Sequence, residues 1–324
     1  MTIRRRRGCT AGLPALVNQR ETGTLGPGRD EMSMFVKTHN FNKAALGRFR
    51  DLQRASFAIL EETAAELSGG ETEKDVARLL VKRYRAAGAG SFFHLPVVLF
   101  GERTALPGDW NLRDFFPRSR TLQPGDSVIL DAAPLFRGYL VDTSYSFCFG
   151  SDPEHRAMMQ HLATYRDSVP AAINNGRSFR AIAEDVLDTM KAAGYESVHT
   201  KHPGEVLGHR AIKTPNLPFQ LRMQGFDAVS LSWFRLKSSL ATKGLGNRSP
   251  LWNTLATSDH PAHDGLWLVE PHAGLGAVGA KWEEILLVED GKARWLDDGP
   301  PHVQQWAKIA AGKEYGPARS QAAA

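Results

Sequence analysis

The sequence predicts an α+β fold built from two similar helix–helix–sheet halves that pack about a pseudo-twofold axis. Three observations predict it: an internal repeat, helix-terminus signals at matching places in both copies, and β-rich runs after each copy. GGETEKDVARLLVKRYRAAG (69–88) and NGRSFRAIAEDVLDTMKAAG (175–194) align at a constant offset. Gly70 falls on Gly176, Thr72 on Ser178, Val76 on Ile182, Leu80 on Val186, and Ala86-Ala87-Gly88 on Ala192-Ala193-Gly194. A supersecondary unit repeated in this way buries its apolar face against its copy.

Each element follows from local chemistry. Residues 1–40 mix Arg, Gly, Pro, Thr and Asn without periodicity and are expected to form a flexible arm. An amphipathic helix is expected over about 42–67, and a second starts at Thr72, an N-cap residue, and stops at Gly88. The second half repeats the pattern, with a helix over about 153–174 and another from Ser178 to Gly194. One domain is expected over 41–298, and 299–324 are read as a tail holding one short helix.

Composition narrows the function classes. The chain has 324 residues, 42% hydrophobic and 23% charged, enough for one large globular domain. Its formal charge of +5 owes much to the block Arg4–Arg7, so no basic face for nucleic acid is implied. The apolar stretch after that block is short and broken by Pro14, which argues against an export signal. No stretch approaches the ~18 apolar residues of a membrane span. Cys9 and Cys148 make no disulfide framework, and a reduced, cytoplasmic protein is expected.

VILDAAPLF and YLVDTSYSFCF are β-rich runs joined at Arg137-Gly138, a tight-turn signal, yet they carry Asp131 and Asp142. A turn centred near 137 predicts the two aspartates as cross-strand neighbours, about 5 Å apart at the backbone. Two anions so close in an apolar sheet need a shared proton, an Arg or Lys partner, or a metal cation. Elsewhere LGHRAIK presents His209, LWLVEPHAG presents Glu270 after an apolar run, and AKWEEILLV presents Glu283 and Glu284. Two Asp, one His and two Glu form an oxygen-rich set that suits Mn, Fe, Co or Zn, and two ions better than one.

Four segments in order, LQPGDSVILDAAPLFRGYLVDTSYSF, LGHR, LVEP and KWEEILLVEDGKARWL, resemble the motifs of the pita-bread metallopeptidases, the family of methionine aminopeptidase, Xaa-Pro aminopeptidase, prolidase and creatinase. The resemblance covers about residues 45–296. It implies two halves around a curved antiparallel sheet and a centre of two divalent metal ions. It implies Asp131 as ligand of one ion, His209 and Glu270 as ligands of the other, Asp142 and Glu283 as bridges, and Glu284 as a neighbour that does not ligate. A small-molecule or short-peptide substrate and a possible homodimer are the further family expectations.

The chain departs from the family at the outer shell. Peptidase members carry two more histidines beside the substrate, and here those positions are Gly108 and Asn216. Asn216 can donate one hydrogen bond to an oxyanion but cannot shuttle a proton. His94, in SFFHLPVV, is the candidate replacement, with His202, His260, His263 and His272 also available. Glu270 is the candidate for proton transfer to a leaving nitrogen. The segment 230–255 is an insert whose Trp233, Phe234, Leu236 and Trp252 predict a lid or a dimer contact. The leading expectation is a hydrolase acting on an amide or peptide-type bond through a metal-bridging hydroxide. The alternatives are a biosynthetic metalloenzyme with other chemistry and a noncatalytic binding module.

Overall fold

The computed structural model describes residues 36–109, 111–215, 222–223, 226–245 and 249–317; Asn216 and most of the N-terminal arm lie outside them. Two helix pairs flank the sheets: α1 (Lys43–Glu66) with α2 (Glu73–Ala86), and α3 (Pro153–Asn174) with α4 (Phe179–Ala192). The local signals decide their ends. Asn42 accepts from Ala45 N, Thr72 and Asp75 form a reciprocal capping box, and Ser178 accepts from Ala181 N. Gly88 (φ 95°) and Gly194 (φ 85°) close α2 and α4 in the left-handed region, as the repeat predicts.

Among the described residues all strand pairs are antiparallel, and the strands form short sheets. Strands Gly265–Val269 and Glu284–Glu289 join the two halves, because successive side chains leave opposite faces of a strand. Leu266, Leu268, Ile285 and Leu287 enter the core under α1 and α2. Trp267, Val269, Leu286 and Val288 enter the core under α3 and α4. Both faces are dry, which explains uninterrupted apolar runs in strands that are antiparallel.

The hairpin around Asp131 differs from the expected register. Arg137 (φ 50°) and Gly138 (φ 84°) occupy a two-residue turn with both φ positive, and the strands pair as Phe136 with Tyr139 and Asp131 with Ser144. Asp142 therefore does not face Asp131 directly; it falls between strands Tyr139–Leu140 and Thr143–Cys148. A Cβ on Gly138 would lie 2.1 Å from the Thr214 carbonyl oxygen. Gly138→Ala is thus expected to cost at least ~2 kcal/mol, read as a lowered melting temperature, since the turn and the neighbouring segment both have to move.

The insert behaves differently from expectation. Within the insert, helix α5 (Ala228–Thr242) packs Phe234 inward, while Leu236 is exposed. Trp252 is neither lid nor dimer contact: it is fully buried, stacks on Phe179 at 3.9 Å between centroids and donates its indole N–H to the Phe179 carbonyl. The segment read as a tail holding one short helix carries α6 (Pro301–Ala310), which buries His302 and Gln305. His302 stacks on Trp282 and lies 3.1 Å from Glu284 Oε1. No helix among the described residues is long and apolar enough to cross a membrane.

Candidate metal centre

The five residues singled out as ligands converge at the seam between the halves, and all are buried. Asp131 comes from strand Ser127–Ala132, Asp142 from the link beyond the turn, His209 from strand Gly208–Arg210. Glu270 follows strand Gly265–Val269 directly, and Glu283 lies between strands Val278–Lys281 and Glu284–Glu289. Glu284 turns the other way and pairs with Arg166 at 2.7 Å.

His209 Nε2 stands 3.7 Å from Asp142 Oδ2, 3.8 Å from Glu283 Oε1 and 3.9 Å from Glu270 Oε1. Those gaps exceed a hydrogen bond and match the ~3–4 Å edge of a shell whose ligands lie about 2.1 Å from one ion. Asp131 Oδ1, Asp142 Oδ1 and Glu283 Oε1 are buried with no hydrogen-bond partner among the described residues. Asp142, His209 and Glu283 could hold a divalent ion, and so could His94, Asp131 and Asp142. Carboxylates with one imidazole suit a transition metal of intermediate hardness.

Two side-chain cations enter the same cavity. His94 Nε2 lies 3.4 Å from Asp142 Oδ2 and 3.6 Å from Asp131 Oδ1. Burial pulls the His94 pKa down, but Asp142 and then Asp131 outweigh it and hold it at about 9; in return His94 and His209 overcome the burial of Asp142 and keep that carboxyl at about 2. Lys281, which the sequence reading missed, places Nζ 2.5 Å from Asp131 Oδ2, 2.9 Å from Glu270 Oε2 and 3.1 Å from Glu283 Oε2. Burial disfavours its charge, yet Asp131, Glu270 and Glu283 raise its pKa well above the usual lysine value. Burial also raises the Glu270 carboxyl, but Lys281 and His202 bring it well below the usual range. Glu283 goes the other way, pushed well up by burial and by Asp142. The signal for Lys281 was present: residues two apart in extended chain share a face, so Lys281 and Glu283 point the same way.

A hydrogen-bonded line runs out from Glu270. Glu270 Oε2 lies 3.0 Å from His202 Nδ1, His202 Nε2 lies 3.0 Å from His272 Nδ1, and His272 Nε2 lies 2.7 Å from the Thr104 carbonyl oxygen. That carbonyl only accepts, so His272 donates there and its Nδ1 must accept from His202 Nε2. Glu270, ionised, accepts at Oε2 from His202 Nδ1. His260 and His263, in contrast, pack on Phe179 and do not line the cavity.

The centre forms the floor of a cavity of about 460 Å³ whose walls include Phe93, Val97, Leu99, Ile129, Phe226 and Phe234. Helix α5 supplies one wall: the Phe234 ring lies 5.3 Å from Phe93 and 5.6 Å from His209 between centroids. Gly108 brings no side chain to it.

A carboxylate-rich centre at the seam of a duplicated α+β fold defines a class, and the comparisons agree with it. Residues 47–235 match the metallopeptidase family M24, and the chain belongs to that family, with its pita-bread fold. No curated protein matches the chain. Among solved structures it is similar to an X-Pro aminopeptidase from Thermotoga maritima MSB8, at 17% identity over 80% of this chain and 62% of that one, with a TM-score of 0.56. It is similar to a dipeptidase from Pyrococcus horikoshii OT3, at 18% identity over 80% and 61% of the two chains, TM-score 0.57. A prolidase from Pyrococcus furiosus aligns at 16% identity over 80% and 65%, TM-score 0.54. At such identities the likeness concerns the fold, and the chain spans about three fifths of the length of the first two structures.

Proposed function

We propose that this protein is a metal-dependent hydrolase that cleaves an amide or peptide-type bond in a small substrate with a bulky apolar group. One observation carries the reading: His209 Nε2 faces three buried carboxylate oxygens at ligand-edge spacing on the floor of an apolar cavity. A divalent ion held by Asp142, His209 and Glu283 would supply Lewis acidity, polarising a carbonyl and acidifying water. We assign residues 41–298, completed by α6, to the catalytic unit.

The chain's own groups divide the remaining work. Phe93, Phe226 and Phe234 seat the apolar group and keep bulk water from the scissile bond. Glu270, kept ionised by Lys281 and His202, takes a proton from the attacking water and delivers it to the leaving nitrogen. His94 takes the place beside Asp131 and Asp142 that gives it access to substrate, where Asn216 and Gly108 cannot carry a proton.

The test is a panel of aminoacyl and N-acyl amides graded in apolar size, run on chelated and on metal-reloaded protein. Hydrolysis is expected only after reloading, and kcat/KM is expected to rise about 10- to 100-fold from a methyl to a benzyl side chain, the span of ~1–3 kcal/mol that an apolar pocket provides. Phe234→Ala is expected to flatten that gradient. Turnover indifferent to metal, or none across the panel, defeats the proposal.

A further inference from the structure

We propose that Lys281 is a built-in cation that stands in for one ion of the expected pair, so that the centre takes a single divalent ion, at Asp142, His209 and Glu283. The inference rests on the metal-dependent reading above and concerns how many ions that reading requires.

The ammonium has three N–H donors, and three carboxylates meet it: Asp131 at 2.5 Å, Glu270 at 2.9 Å and Glu283 at 3.1 Å. All three are among the residues the family resemblance makes ligands. Lys281 is 4% exposed and cannot swing out to solvent easily. Its backbone is clamped from both sides by one hydroxyl: Lys281 N donates to Ser146 Oγ at 2.9 Å, and Ser146 Oγ donates to Lys281 O at 2.6 Å. That clamp aims the side chain into the cluster.

The two ion positions are therefore unequal. The Asp131 side is already supplied with positive charge, by Lys281 on Oδ2 and by His94 at 3.6 Å from Oδ1. The His209 side keeps an imidazole nitrogen at ligand-edge spacing, with Glu283 Oε1 free of hydrogen bonds among the described residues. Charge balance points the same way. Four buried carboxylates against the two cations Lys281 and His94 are balanced by one divalent ion, whereas a second ion makes the cluster net positive.

The experiment titrates chelator-stripped full-length protein with Mn(II), counting bound ions by elemental mass spectrometry and recording electron paramagnetic resonance. Wild type is expected to bind one ion per chain with the spectrum of an isolated Mn(II). Lys281→Met is expected to bind two, with an exchange-coupled spectrum and a second-site affinity at least about a hundredfold above wild type. Asp131→Asn, tested in case Lys281→Met does not fold, is expected to keep one ion with affinity within about tenfold of wild type, because here Asp131 serves the lysine and not the ion. Two coupled ions in wild type, one ion in both wild type and Lys281→Met, or loss of the ion in Asp131→Asn overturns the inference and leaves the hydrolase reading standing. No bound ion in wild type or Lys281→Met overturns both.

Discussion

Glu283→Gln is expected to abolish metal binding and lower kcat/KM about a thousandfold, while the metal-free protein melts no lower than wild type. The two halves of that result have one cause. Glu283 is 1% exposed, and its Oε1 faces His209 without a hydrogen bond among the described residues. A glutamine keeps the shape but removes the charge an ion needs, and losing Lewis-acid stabilisation of about 4 kcal/mol is a thousandfold in rate. Without metal the same charge is a burden, because burial and Asp142 push the Glu283 carboxyl toward its neutral form. Removing a buried charge that Asp142, Glu270 and Asp131 repel, and that Lys281 only partly offsets, relieves the fold, and each kcal/mol gained raises the melting temperature of a protein of this size by about 2–4 °C. Elemental analysis, steady-state kinetics and calorimetry on chelated protein check the three parts, and a variant that still holds the ion would sink the assignment.

Glu73→Ala is expected to cost ~3–5 kcal/mol, more than any surface change, without touching the site directly. Glu73 opens α2 and is fully buried. It accepts from Arg103 Nε at 2.8 and 3.0 Å, from Phe100 N at 3.0 Å and from Arg118 N at 2.7 Å. Truncation leaves two backbone donors and a guanidinium facing a void. Denaturant unfolding measures the loss, and Glu73→Gln, which keeps an acceptor, is expected to recover more than half of it. A loss below ~1 kcal/mol for Glu73→Ala would show that water replaces the carboxylate at no cost.

The parts of this molecule legible in the sequence are those whose physics is local. Thr72, Ser178, Gly88 and Gly194 mark helix ends because caps depend on the next few residues. The convergence of Asp131, Asp142, His209, Glu270 and Glu283 was legible because each stands at a strand or its end in a motif of fixed order. Lys281 was only half legible: its spacing from Glu283 gives its face, but Asp131 is brought to it from the other half only by the fold. The line from Glu270 through His202 to His272 and the docking of α6 on Trp282 and Glu284 are made only by the fold, although a short helix in that segment was legible. The hairpin register was missed by two residues because it depends on the backbone angles of Arg137 and Gly138.

The duplicated halves also give the centre a place in time. His94, Asp131 and Asp142 come from the first half, and His209, Glu270, Lys281 and Glu283 from the second, with Asp131 and Lys281 separated by 150 residues. Each half carries two acids against one cation of its own, His94 in the first and Lys281 in the second, and the full ligand set exists only when the halves meet. Contacts at such separation form late and slowly, and here they are the same contacts that make the chemistry. A nascent chain therefore stays inert until its last step of docking, and its activity is a readout of completed folding.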